Sequence, residues 1–150
     1  MFDGTDIILI HQLLARYGHA LDARDWESFA ELFVPDAVVD YTAVRAPHVC
    51  HGIGEILDYF QPANHPAAHH VTNIVVDESG DPAGRVTVHS KFFVPFTRDA
   101  NVPKRFYGGD YFDVVVKTPA GWKFAEKRCV GRWQYTPDPG EDVPEFRRTF

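Results

Sequence analysis

The order of hydrophobic periodicities predicts an α+β domain in which three N-terminal helices pack on a curved antiparallel or mixed β-sheet and close it into a cone. Apolar residues recur at three- and four-residue spacings up to Phe60. From Val71 onward the period becomes two, and Gly, Pro and Asp punctuate the alternating stretches as turns. At 150 residues the chain suits one domain that buries its own core. No repeat, low-complexity segment or interdomain linker divides it.

Thr5 is placed to cap a first helix running to about Leu21, with Ile7, Ile10, Leu14, Tyr17 and Leu21 as one apolar stripe. Asp25 caps a second helix over residues 26–33, with Trp26, Phe29, Ala30 and Phe33 inward and Pro35 as a stop. Residues 37–43 read as a short strand that contains Tyr41. After a loop with Pro47 and Gly52, residues 53–60 form a third helix through Ile53, Ile56, Leu57 and Phe60. Strands follow over 71–77, 85–96, 105–117 and 122–135, with Ser79-Gly80-Asp81 and Pro119-Ala120-Gly121 as hairpin connections. Pro137, Pro139 and Pro144 give the remaining residues the character of an extended tail.

Composition narrows the function classes. The chain holds 12 Phe, 6 Tyr and 3 Trp, an aromatic share of 14% that suits a sheet wrapped around a large interior. A net charge of −6 with no Lys/Arg cluster argues against nucleic acid as a partner, Arg147-Arg148 being only a pair. The longest apolar run, Ile7 to Ile10, is far too short for a bilayer, and Asp3 and Asp6 replace the basic start of a signal peptide, so a cytoplasmic protein without membrane contact is expected. Cys50 and Cys129 lie far apart in no redox or metal spacing, which fits reduced thiols. His48-x-x-His51 stands near His65 and the His69-His70 pair, yet no Cys or Glu completes a zinc set, so no metal site is expected. Nucleophile elbows, phosphate-binding glycine loops and dinucleotide fingerprints are missing, so no cofactor is expected; Gly108-Gly109 sits inside a strand pattern and reads as a bulge or close backbone approach.

An open cone has a pocket in its mouth, where a small-molecule site belongs. Asp22 lies where the first helix runs out, facing the negative end of the helix dipole, a position that favours a cationic or imidazole partner. A carboxylate that holds an imidazole in one tautomer makes it a general base near neutral pH. His69 and His70 are adjacent, so on a strand they face opposite sides and at most one joins such a dyad. Tyr17 lies about 140° around an ideal helix from Asp22, so the two reach one cavity only from flanking sides. A Tyr41 hydroxyl directed into an apolar cavity would donate to a carbonyl oxygen as negative charge develops on it.

Tyr17-x-x-x-x-Asp22-x-x-Asp25-Trp26, Phe33-x-Pro35-Asp36-Ala37, His69-His70-Val71-Thr72-Asn73, Gly108-Gly109-x-Tyr111 and Gly121-Trp122-Lys123-Phe124 carry a resemblance when taken in this order. The chain resembles SnoaL-like members of the NTF2-like superfamily from Ile7 to about Trp133, above all the branch of scytalone dehydratase, bile-acid 7α-dehydratase and hexachlorocyclohexane dehydrochlorinase. The resemblance implies a cofactor-free eliminating enzyme with an Asp–His dyad in the cone. It assigns the aspartate to Asp22, a cavity-lining position to Tyr17 and the carbonyl-polarising tyrosine to Tyr41. The histidine falls on His69, four residues before Asn73, with His70 as the alternative. Phe60, Phe96 and Tyr111 are the expected substrate-binding positions. The chain departs from scytalone dehydratase where Phe96 follows Val94-Pro95 in place of a second histidine, and where Gly109 and Tyr111 replace a serine and an asparagine.

These features imply a dehydratase acting on a cyclic or polyketide-like carbonyl compound, with an apolar or aromatic substrate. An isomerase or cyclase would start from the same enolate. A non-catalytic ligand-binding module is the remaining alternative, favoured where no histidine lies within hydrogen-bond reach of Asp22. The outward sets of the last two strands carry Val and Phe, which implies a homodimer or homotrimer.

Overall fold

In the computed structural model, which describes residues 2–63, 68–77, 84–96 and 105–136, three helices cover one face of a six-stranded sheet. Helix α1 (Gly4–Ala23) is capped by Asp3, whose carboxylate accepts the Thr5 and Asp6 amides at 2.7 and 3.1 Å. Asp6 returns the contact by accepting the Asp3 amide at 3.2 Å. This capping box moves the cap from the expected Thr5 to Asp3, because only Asp3 has an acidic partner three residues on. Asp6 also faces the sheet, where it accepts from Lys117 Nζ at 2.7 Å and Trp122 Nε1 at 2.9 Å. Ile7, one step around the helix, is thereby turned outward, against expectation, and Leu13 joins Ile10, Leu14, Tyr17 and Leu21 in the core.

Helix α1 ends at Arg24, which adopts left-handed backbone (φ 60°), and Asp25 then caps α2 (Trp26–Glu31) by accepting the Ser28 amide at 3.1 Å. The helix is shorter than the pattern suggests because β1 (Phe33–Asp40) begins almost at once. Pro35, expected as a stop, lies inside β1, between Phe33 and Val38 where the register to its neighbour shifts, so its missing N–H breaks no regular ladder. Tyr41 therefore stands just past the strand, at the entry to a short 3-10 turn (Thr42–Val44). A two-residue strand, β2 (Cys50–His51), was not apparent from the pattern and precedes α3 (Gly52–Phe60).

The meander consists of β3 (His70–Asp77), β4 (Arg85–Phe96), β5 (Arg105–Thr118) and β6 (Gly121–Tyr135), each within one residue of its expected limits. The sheet order is β2-β1-β6-β5-β4-β3, antiparallel throughout except for the parallel pair β1 and β6. Gly121, at φ 106°, closes the β5–β6 hairpin in a conformation that suits glycine. Register shifts at Gly108/Gly109 and Val114/Val115 mark bulges that bend the two longest strands around the helices. Phe29, Phe33, Phe60, Phe124, Ile56 and Val115 are buried in the core between helices and sheet. Both cysteines are free and buried. No helix among the described residues is long and apolar enough to cross a membrane. The expected turn at Ser79-Gly80-Asp81, the proline-bearing tail and the Phe96 side chain lie outside the described residues.

Candidate functional site

Asp22 occupies the last turn of α1, held there by the tight corner in which Asp25 N donates to the Ala20 carbonyl at 3.0 Å. Opposite it the chain enters β3, and the two segments approach closely at Gly18. A Cβ on Gly18 would stand 3.3 Å from the His69 carbonyl oxygen and 3.4 Å from its Cβ. Gly18 and Asp22 are four residues apart on one face of α1, so the bare glycine admits the backbone that the aspartate then binds. The His69 main-chain N–H donates to both Asp22 oxygens, at 3.1 and 2.9 Å, and ring atom Nδ1 lies 2.6 Å from Oδ1.

An ionised carboxylate only accepts, so this contact places the ring proton on Nδ1 and the basic lone pair on Nε2. The His69 side chain is 8% exposed and that of Asp22 is 24% exposed. Burial pushes the imidazole pKa below its ordinary value, opposed by the Asp22 hydrogen bond and charge and assisted by the nearby Arg24 and Lys127 cations. His69 is thus a neutral, oriented base at pH 7. His70 points the other way, as the pleat requires: it is exposed, pairs with Phe93 across the strands and sets its ring 6.0 Å from that residue.

His69 reaches a pocket of about 510 Å³. Tyr17, Tyr41, Phe60, Phe92, Tyr111 and Cys129 form its buried part. The Tyr17 and Tyr41 hydroxyls are hydrogen-bonded to each other. Tyr111 stacks between the Tyr41 ring (centroids 6.3 Å apart) and the Phe92 ring (4.7 Å). Desolvation raises all three phenols well above the usual tyrosine range, so each stays a proton donor at any physiological pH. Asp22 does not itself line the pocket but stands behind His69. Tyr17 and His69 line the same pocket, whereas Asp22 reaches it only through His69. Tyr17, Tyr41, His69, Phe60 and Tyr111 therefore converge, Asp22 supports them from behind, and His70 faces away.

Beneath the tyrosines lies a buried ion pair that the sequence pattern did not single out. Lys127 Nζ donates to both Asp113 oxygens at 3.1 Å, with the two side chains 1% and 0% exposed. The ammonium also lies 4.3 Å from the Tyr17 ring centroid, 3.9 Å from Tyr111 and 4.7 Å from Phe124. Burial lowers the lysine pKa and raises that of the aspartate. Cys129 was likewise missed as a lining residue, and burial pushes its thiol up to about 12, which keeps it protonated. Among the described residues no group of three or more His, Cys, Asp or Glu side chains could hold a metal ion.

A helix-borne carboxylate thus meets an imidazole at the wall of an aromatic pocket, inside an α+β cone. The chain belongs to the SnoaL-like domain family, whose sequence profile matches residues 5–128. An uncharacterised protein of Mycobacterium tuberculosis is 31% identical over 134 residues, covering 83% of this chain and 86% of that protein. Among solved structures, a provisionally assigned scytalone dehydratase of Novosphingobium aromaticivorans superposes with TM-score 0.75 at 24% identity, covering 89% of this chain and 88% of that one. A hexachlorocyclohexane dehydrochlorinase, LinA type 2, gives TM-score 0.75 at 15% identity, covering 96% of this chain and 99% of that one. The cone is accordingly of the NTF2-like type.

Proposed function

We propose that the protein is a cofactor-free lyase, a dehydratase acting on a cyclic or polyketide-like carbonyl compound. The observation that carries this reading is the 2.6 Å contact between Asp22 and His69 at the wall of an aromatic pocket. Two structural neighbours, named a scytalone dehydratase and a dehydrochlorinase, suggest lyase chemistry in such a cone. His69 Nε2 takes a proton α to the substrate carbonyl, and Asp22 holds the ring and stabilises the imidazolium that forms. Tyr41, whose hydroxyl is bonded to that of Tyr17, donates to the enolate oxygen. The enolate then expels the β-hydroxyl group, which leaves as water with the proton returned by His69, and a conjugated carbonyl compound remains. Phe60 and Tyr111 supply apolar walls. An isomerase or cyclase would share the first step and differ in the fate of the enolate.

The test exploits that shared step. Cyclic β-hydroxy ketones are incubated with the protein in D₂O while deuterium uptake at the α carbon and the absorbance of the conjugated product are followed. Wild type should catalyse both, and Asp22→Asn and His69→Ala should each lower the rate by about 10²–10⁴-fold. If both folded variants keep near-normal rates on a turned-over substrate, the dyad mechanism is wrong. Exchange without elimination would point to the isomerase or cyclase.

A further inference from the structure

The pocket is apolar at its floor but cationic at its rim. Arg45 and Arg132 both line it, and among the described residues no Asp or Glu does. Arg45 follows the 3-10 turn with left-handed backbone (φ 81°) and is exposed at the rim. Its guanidinium meets no carboxylate among the described residues. Arg132, on β6, donates through Nε to Asp110 Oδ2 at 2.6 Å. That carboxylate is shared with Lys91 and with His89 Nε2, which alternate on β4 with the pocket-lining Phe92, so the Arg132 guanidinium is committed to the other face of the sheet and Arg45 is left as the cation of the mouth. Tyr107, Trp133 and Gln134 complete the rim.

A guanidinium placed at the edge of an aromatic cavity, without a counterion, is a receptor for an oxyanion. In a chain of net charge −6 this is a local reversal of sign, which selects for anions where the rest of the surface repels them. We propose that the ligand of this pocket is a ring compound bearing an oxyanion, a carboxylate or a phosphate ester. The rings enter among Tyr41, Phe60, Phe92 and Tyr111, while the anion is held at the mouth by Arg45. The inference rests on reading this pocket as the substrate site of the Asp22–His69 pair, and it narrows the substrate to an amphiphilic acid anchored away from the reacting carbon.

The experiment is a calorimetric titration of the protein with three probes that share one ring body: 2-naphthoate, 2-naphthyl phosphate and 2-naphthalenemethanol. At low salt at least one anion should bind about tenfold more tightly than the alcohol, the factor expected for one charge-assisted contact. Which anion is preferred identifies the carboxylate or the phosphate source. Raising the salt should shrink the preference. Arg45→Gln should reduce it to near parity while leaving the alcohol's affinity unchanged, and Arg45→Lys should restore part of it. Arg132→Gln, which removes only the partner of Asp110 on the other face, should leave the preference in place, as read alongside a thermal melt. Equal binding of all three probes, binding of none, or a preference that survives in Arg45→Gln with its fold intact would overturn the proposal. The isotherms do not require turnover, so His69→Ala should retain the anion preference. If the dyad reading fails instead, these preferences stand and only the chemistry is lost.

Discussion

The contact between Asp22 and His69 decides which protonation state does the work. Only the neutral imidazole can accept a proton, and burial holds its pKa below the ordinary value of 6.5. The rate should therefore be flat through neutrality and fall only as the pH drops through the folded pKa, placing the acid limb of kcat/KM below pH 6.5. Asp22 opposes the shift, so Asp22→Asn should move that limb further toward acid while lowering the plateau. A limb that stays in place would show that the carboxylate does not act through the ring. Tyr41→Phe removes the hydroxyl bonded to Tyr17 and should cost about 10²–10³-fold in kcat with little change in stability. Tyr17→Phe should cost less, since its hydroxyl acts through that of Tyr41. Equal losses in both variants would mean that each phenol contacts the substrate.

At the scale of elements, the site depends on how closely α1 approaches the start of β3. Gly18→Ala would gain about 0.8–1.0 kcal/mol of helix propensity but crowd the His69 carbonyl at 3.3 Å, so the net stability change should stay within about 1 kcal/mol. Gly18→Val cannot be relieved in the same way. It should push His69 away from Asp22 and lower kcat by about 10²-fold, the cost of a displacement near 1 Å. An unchanged rate in folded Gly18→Val would show that the approach does not matter. Helices and meander were legible because their periods are continuous, and Asp22 was legible because a carboxylate at a helix C-terminus needs a partner. The choice between His69 and His70 came only from family spacing, since the pleat says that they differ and not which one faces in. Lys127 and Cys129 were hidden by the bulge at Val114/Val115. Counting by two from the buried Trp122 and Phe124 places Glu126 and Arg128 inside, whereas the extra residue at the bulge flips the phase and buries Lys127 and Cys129 instead. β2 escaped because two residues cannot display a period.

At the scale of the whole molecule, large rings remain on the outside: Phe93 is 38% exposed, and Trp133 and Tyr135 are each 50% exposed. Such a surface predicts self-association into a dimer or trimer, and sedimentation showing only the 17.0 kDa chain at micromolar concentration would exclude it. The interior makes a sharper demand. Lys127 and Asp113 are enclosed by the rings that floor the pocket, and each is satisfied chiefly by the other. Burial of the pair is costly by itself, so removing one partner leaves a charge with no way to water. Lys127→Met or Asp113→Leu alone should destabilise the fold by about 3–5 kcal/mol, whereas the double variant should recover most of the loss. Chemical denaturation of the four proteins closes the cycle, with the coupling read as the non-additive part. If the single variants lose no more than the double, the pair is not mutually dependent and the buried charges find other compensation.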